Sequence, residues 1–477
     1  MTIDRKATSW VATAMPKLPF GIGAYARQRG DLPELPVINM FAENAPTEEG
    51  SVVLQSRPGL VPALAVGSGP IRGMYQADGV FGGAMFVVSG STLYRDAAAL
   101  GTIGGTGAVS FAASPLELLV NAGTTIHSYK AAGLATVAFP DNANVVRVAY
   151  IAGYFIALRE GTQQWHFSKV LDGRSWDGFD FANAENEPDR LVDVVIVDDV
   201  LVLIGSRSIE FWPRTGDATI PFAPTQGKVF DKGAITPGCA IAYDNTFAFI
   251  GAVESVVPPA KPSLRVYVAA NVPTGVSDVG IEEKLSKSAS YALWSFTFEG
   301  HEFLVLRLSQ GTWLFDAATR QWCEFTSAGL SNWTVQTGRG GLFGDAANGT
   351  LWAFGAGHSD NGGVLERRFR AGFPLSGGSV TSHNLRLTTN AGRTPDLSGY
   401  ASDPVVEMRS SRDRGATWGA WRQTALGQQG KYRTLIEWRR NGQFDAPGGL
   451  FEFRVTDPVP FTAAAVAINE QAGGRGR

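Results

Sequence analysis

One pattern recurs along most of this chain and restricts what it folds into. A short apolar strand runs into a Gly-containing turn, then a Thr or Ser, then a second strand carrying aromatic or branched residues. AMFVVSGSTLYR shows it first, with Thr92 at the marker position. LELLVNAGTTIHSY (Thr125), YFIALREGTQQWHF (Thr162) and VLVLIGSRSIEFW (Ser208) repeat it, and PSLRVYVA carries a degenerate copy at Ser263. HEFLVLRLSQGTWLF (Thr312) and GLFGDAANGTLWAF (Thr350) complete the set. Successive markers lie 33, 37, 46, 55, 49 and 38 residues apart, a mean of about 43, the period of four-stranded propeller blades. A lone hairpin with alternating apolar residues, such as Phe86 and Val88 or Phe303 and Val305, has nothing to bury that face against. Radial stacking buries it and leaves only short sheet edges. The turns Ser89-Gly90, Gln310-Gly311 and Asn348-Gly349 are expected to supply the positive φ of tight hairpins.

The pattern predicts an all-β protein with a β-propeller of about seven blades over residues 67–370. Before it, residues 1–66 have Pro and Gly at short intervals and little strand periodicity, which reads as an extended N-terminal arm that orders against neighbours. After it, SHNLRLTT, PVVEMRSS, KYRTLIEWRR, GLFEFRVTD and FTAAAVAI read as strands of a β-sandwich over 371–468. Residues 469–477 form a tail. A total of 477 residues with 57 Gly and 25 Pro suits many short strands and would be out of place in a helical chain. No apolar run reaches the length needed to cross a bilayer, so no membrane insertion is expected. The N-terminus lacks a continuous apolar stretch of the secretory kind, which points to folding in a cytoplasm.

Little in the chain points to catalysis. Cys239 and Cys323, both on apolar stretches, are expected as buried free thiols. His127, His166, His301, His358 and His383 are scattered without metal-ligand spacing, and His301, after Gly300, reads as an exposed turn residue. The acidic stretch Asp189 to Asp199 reads as solvated strand ends. No phosphate-binding Gly-rich loop and no nucleophile–base arrangement is present. No enzyme activity, cofactor or metal is therefore expected. A formal net charge of -3 offers no basic surplus for a phosphate backbone.

Two local motifs stand out. Ser411-x-Asp413-x-Gly415-x-Thr417-Trp418 matches the Asp-box of sialidases and other propellers. There the Ser and Asp brace a hairpin turn and the Trp fills the space beneath it. A looser relative is Asp172-Gly-Arg-Ser-Trp176. The complete copy lies outside the expected propeller, so a structural role is expected, and a glycan-binding or sialidase-like propeller is the alternative. Arg367, Arg368 and Arg370 cluster where propeller should meet sandwich. They are either a phosphate- or protein-facing surface or the salt-bridged arginines of a linker. Arg27 and Arg29 on the arm are further candidate interface residues.

Read in order, several segments make the chain similar to a known family. They are PFGIGAYARQRGDLPELPVINMFAE and RPGL in the arm, IRGMY before the first hairpin, DGRSWDGFDFANAE, SIEFWPRTG, GHEFLVLRL with TWLFDAATRQW, and DPVVEMRSSRDRGATW with a later DPV. The chain resembles the packaged-DNA stabilisation proteins of short-tailed bacteriophages, also called tail-hub or DNA-plug proteins. VPTGVSDVGIEEKLS (272–286) and ESVVPPAKP (254–262) depart from that pattern. The resemblance implies a virion tail protein, assembled in the host cytoplasm as a homohexameric ring. The ring would close the DNA channel below the portal and its tail adaptor protein and anchor tail fibre, spike or needle proteins, while DNA passes its lumen without sequence-specific binding.

Overall fold

The computed structural model describes residues 17–19, 21, 34–45, 52–217, 219–253, 263–393 and 402–472. The described residues form two compact units, Arg57–Leu365 and, together, the residues up to Ser56 with those from Glu366 onward.

Within Arg57–Leu365 the described residues build seven antiparallel blades of four strands each. Blades 1 to 6 are uninterrupted meanders over 71–102, 110–136, 145–183, 191–230, 240–275 and 291–325. Each marker Thr or Ser falls at or within two residues of the start of a blade's third strand, the degenerate Ser263 included. Apolar clusters fill the spaces between neighbouring blades: Phe86, Val88 and Leu118 between blades 1 and 2, Trp165, Leu203 and Trp212 between 3 and 4, Ile250, Leu306 and Trp313 between 5 and 6. Burying such side chains contributes on the order of 1.5–3 kcal/mol each, a gain no hairpin could make alone.

Blade 7 is different. Its first three strands are Val335–Arg339, Leu342–Asp345 and Thr350–Phe354, and its fourth is Leu60–Ala65 from the far end of the unit. The first strand of blade 7 adjoins that of blade 1, so the ring is closed. Residues 60–65, assigned to the arm from sequence, therefore belong to the propeller. Pairing with Thr350–Phe354 satisfies their backbone, and Pro62 sits on an outer strand where a missing N–H is tolerated.

The turn glycines act in two ways. Gly90 has φ 55° as expected, but Gly311 and Gly349 are not left-handed. A Cβ on Gly349 would stand 2.2 Å from the Gly67 carbonyl oxygen, and one on Gly311 would stand 2.4 Å from the Trp313 ring. Close approach selects glycine at both. Among the described residues there is one α-helix, Val279–Lys287, capped by Asp278, whose side chain accepts from the Ile281 N–H at 2.8 Å. Ile281 and Leu285, one turn apart, anchor it to the core of blades 5 and 6. Part of 272–286, one of the two segments that depart from the family pattern, is therefore helical, while 254–262, the other, lies outside the described residues.

The second unit contains two main sheets. One runs Val37–Ile38, Arg367–Pro374, Gly448–Val455, Val405–Ser411, Arg422–Ala425; the other runs Lys17–Leu18, Ala465–Ala472, Ser379–Thr388, Ile436–Asp445. Phe373 meets Phe444 at 5.3 Å and Trp438 meets Phe453 at 5.6 Å across their apolar faces, the packing of a β-sandwich. A three-stranded sheet adds Met40–Asn44, Val52–Ser56 and Thr462–Ala463. Residues 37–44 and 52–56, expected as an extended arm, are strands of this unit, and Val37, Met40, Phe41 and Leu54 are buried there. The sandwich also begins before residue 371, since Arg367–Pro374 is a single strand.

Candidate functional site

The Asp-box turn has the bracing expected of it. The Ser411 hydroxyl donates to Asp413 Oδ1 at 2.7 Å and accepts from the Gly415 N–H at 2.7 Å. Asp413 Oδ1 also accepts from the Thr417 N–H at 2.8 Å, and Oδ2 from the Thr417 hydroxyl. These bonds, led by those from Thr417, hold the Asp413 carboxyl down at about 2. Gly415 has φ 100°, a conformation that L side chains rarely adopt. Trp418 is half-buried: the guanidinium carbons of Arg370 and Arg409 lie 4.7 and 4.8 Å from its ring centre. Its ring also lies against the turn, 3.7 Å from where a Cβ on Gly415 would stand.

Those cations belong to a layer on one sheet of the sandwich. Glu452 is fully buried; it accepts from Arg370 Nε at 2.8 Å and from Arg409 Nε at 2.5 Å. One step along the sheet, Glu407 accepts from Arg454 Nε at 2.7 Å. Trp421 packs between Arg409 and Arg454, 4.5 and 4.2 Å from its ring centre. Guanidinium, carboxylate and indole alternate, so each buried charge has a partner.

The three clustered arginines therefore have different surroundings. Arg367 is fully buried and donates to the carbonyls of Val455, Asp457 and Val459. Arg368 is half-buried near Glu366 and Glu452. Arg370 bonds Glu452 and the Glu34 carbonyl. Alternation along the strand puts Arg367 on the inner face and the other two on the outer. Arg27 and Arg29 lie outside the described residues.

Other polar groups of the propeller also brace structure. His301 is buried, with Nδ1 2.9 Å from Asp316 Oδ2, and is not the exposed turn residue expected. Asp193, expected at a solvated strand end, is fully buried; it accepts from Arg147 Nε at 2.8 Å and from the Gly238 N–H at 2.8 Å. The two errors have different causes: His301 opens the strand His301–Leu308 and is covered by Asp316 of its own blade, whereas Asp193 lies within the strand Leu191–Val197 and is held by Arg147 and Gly238 from neighbouring blades. Asp172 of the looser motif accepts from the Arg174 N–H at 3.2 Å within its own segment. It pairs with Lys130 at 2.6 Å and bonds the Ser175 hydroxyl at 2.6 Å, which hold its carboxyl down at about 2. Lys130 also reaches Glu117, which accepts from Ser128 and from the Gly173 N–H. The group ties blade 2 to blade 3. Both cysteines are buried and unbridged, and burial raises their thiols. Among the described residues no group of three or more His, Cys, Asp or Glu is placed to hold a metal ion.

At the centre of the propeller a cavity of about 630 Å3 is lined by the innermost strands, with Tyr75, Phe111, Arg147, Tyr150 and Arg339 facing it. Arg147 there is already paired with Asp193.

A closed seven-bladed propeller followed in the chain by a β-sandwich defines an all-β protein of two units. Two family models match the chain in succession: bacteriophage P22 Gp10, beta-propeller, over residues 16–368, and bacteriophage P22 Gp10, beta-sandwich, over residues 368–471. The chain belongs to the bacteriophage P22 Gp10 family. It is similar to the tail hub protein gp10 of Salmonella phage P22, 23% identical over 327 residues covering 64% of this chain and 67% of that one. Solved structures give looser likenesses. PorZ of Porphyromonas gingivalis is 14% identical with a TM-score of 0.37, over 68% of this chain and 44% of that one. The exo-beta-1,3-galactanase of Phanerochaete chrysosporium is 9% identical with a TM-score of 0.32, over 76% and 95%. Likenesses this loose have no bearing on function.

Proposed function

We propose that this chain is the tail hub of a short-tailed bacteriophage, a non-enzymatic virion protein that stabilises packaged DNA. Six copies form a ring below the portal and its adaptor, close the DNA exit channel, and anchor fibres, spikes or a needle. The observation that carries this reading is the end-to-end match of both domains, in order, to the P22 Gp10 family, together with the similarity to a tail hub protein. The centre of the propeller supports the ring as the route for DNA. Its cavity of about 630 Å3, crossed by aromatic and arginine side chains, has no room for a duplex, whose major groove alone is about 12 Å wide. A ring of copies supplies the wider opening. The buried, mutually paired charges favour a load-bearing part over a catalyst.

Particles assembled without this protein test the reading. They are expected to package DNA, lose it afterwards, and lack their tail appendages. Particles that retain DNA and bind appendages normally would sink the proposal.

A further inference from the structure

Charge is unevenly divided along this chain. Residues 57–365 carry 20 Lys or Arg and 28 Asp or Glu, a net of -8; residues 366–477 carry 16 and 10, a net of +6. The overall value of -3 conceals this separation, and at physiological salt a ligand senses charge within about 8 Å.

Within the sandwich the positive charge gathers at the Asp-box edge. The strand Ile436–Asp445 is distorted near its middle, where Arg440 has φ 58° and Gly442 φ 91°, and its register against Ser379–Thr388 shifts between Ser382 and Asn384. Arg422 donates to Asn441 Oδ1 at 2.8 Å and to the Arg439 carbonyl. The Arg412 guanidinium lies against Gly442, where a Cβ would stand 2.3 Å from its Nη2, and 5.9 Å from the Phe444 ring centre. Arg414 is in the same Asp-box turn with φ 55°. Arg386 and Arg439 share Glu437 at 3.4 and 2.8 Å. Among the described side chains, six guanidiniums thus gather with three carboxylates. Of these, Asp413 is turned into its own brace, Glu437 is shared, and Asp445 stands at the strand end with Gln443. Among the described residues Arg412, Arg414, Arg422 and Arg440 have no carboxylate within ion-pair distance. Arg412, Arg422, Arg439 and Arg440 are exposed.

We infer that this edge of the sandwich binds the phosphate backbone of duplex DNA without regard to base sequence. The inference rests on the tail-hub reading and adds to it the surface that touches DNA. Three observations favour a polyanion over a protein partner. The cations are arginines, whose planar fork suits phosphate oxygens. Two of them are held by backbone and aromatic contacts, which reduces the entropy lost on binding. The exposed large apolar side chains described in the sandwich are Tyr432 and Leu435, neither of them in the cluster, whereas protein interfaces are apolar at their centre. Four phosphate contacts give a log–log salt slope of about -3.6 per copy, so affinity falls by about two orders of magnitude between 50 and 200 mM salt. Contacts of that kind restrain DNA and still let it slide.

The test is fluorescence anisotropy of the purified full-length chain with a short duplex of random sequence, across a salt series. The combined variant Arg412→Gln, Arg414→Gln, Arg439→Gln and Arg440→Gln should bind at least about tenfold more weakly at low salt, with the slope reduced by about 3. The same four positions changed to Lys should retain most of the slope, which excludes a folding defect. The propeller control Arg190→Gln with Arg207→Gln should match the parent. The inference is overturned by parent binding without salt dependence, by equal binding of parent and Gln variant, or by a Gln variant that loses self-association at unchanged DNA affinity. Any of these outcomes leaves the tail-hub reading intact, because that reading is judged on particles.

Discussion

Arg57 and Asp360, 303 residues apart in sequence, meet as a buried two-point pair: Nη1 to Oδ1 at 3.0 Å and Nη2 to Oδ2 at 2.8 Å. Asp360 Oδ1 also accepts from the Leu60 N–H at 3.0 Å, so the carboxylate holds the first residue of the strand that closes blade 7. Arg57 further donates to the carbonyls of Pro58 and Thr326 and lies 5.4 Å from the Phe325 ring centre. Asp360→Ala leaves a fully buried guanidinium without its charge partner. Stability is expected to fall by about 3–5 kcal/mol, read as a lower urea midpoint. Protease cleavage near residue 60 should accelerate before the rest of the propeller opens. Unchanged cleavage there would show that the pair does not secure the strand.

Acid should weaken the tie between blades 2 and 3. Lys130, then Ser175, hold the Asp172 carboxyl at about 2, below its ordinary 3.8. A carboxyl depressed on folding contributes stability that is full above pH 3.8 and lost as pH falls through about 2. Asp172→Asn should remove that part of the pH dependence in thermal melts between pH 4 and 2. The magnitude is small, because Asp172 is more than a third exposed.

His166 should give a pH dependence in a higher window. Burial, then the nearby Arg159, lowers its imidazole from 6.5 to about 4, and Phe139 packs against its ring at 5.0 Å. The folded protein keeps the ring neutral while the unfolded chain takes up a proton below pH 6.5. The unfolded state then binds more protons, so stability declines as pH falls from about 6.5 to about 4 and levels off below. Titrating the unfolding midpoint of His166→Gln should show a flatter profile across that window. A slope equal to the parent's would assign the effect elsewhere.

The Asp-box bracing is open to hydrogen exchange. Asp413→Ala should free the Thr417 amide, and Ser411→Ala the Gly415 amide, so that both exchange faster than in the parent once their acceptor is lost. Amides of Gly448–Val455 should keep their protection.

The blades were legible because each marker hairpin is a local object. Thr92 and Thr350 report strands only a few residues away, and even the weak copy at Ser263 starts a third strand. The closing strand was not legible. LVPALA has no alternation and pairs with residues near 350, a relation that no local window contains. The helix leaves a signal in Asp278, Ile281 and Leu285, an N-cap and a one-turn apolar pair, but nine residues are too short to stand out among surroundings that read as blades. At the candidate site, Ser411, Asp413 and Gly415 were legible because the motif braces itself. The cations that flank Trp418 were not, since Arg370 and Arg409 lie outside the motif. The basic edge was hidden for a different reason: net charge averages over a chain, whereas Arg412 and Arg439 act where they stand.

Closure of blade 7 by the strand from the other end of the unit has a mechanical consequence. The chain enters the propeller at Arg57 and leaves it after Leu365, so both connections arrive at one blade. Drawing Leu60–Ala65 out of blade 7 must first part Asp360 from Arg57 and from the Leu60 N–H, so the ring is fastened like a clasp at the joint where its two chain ends meet.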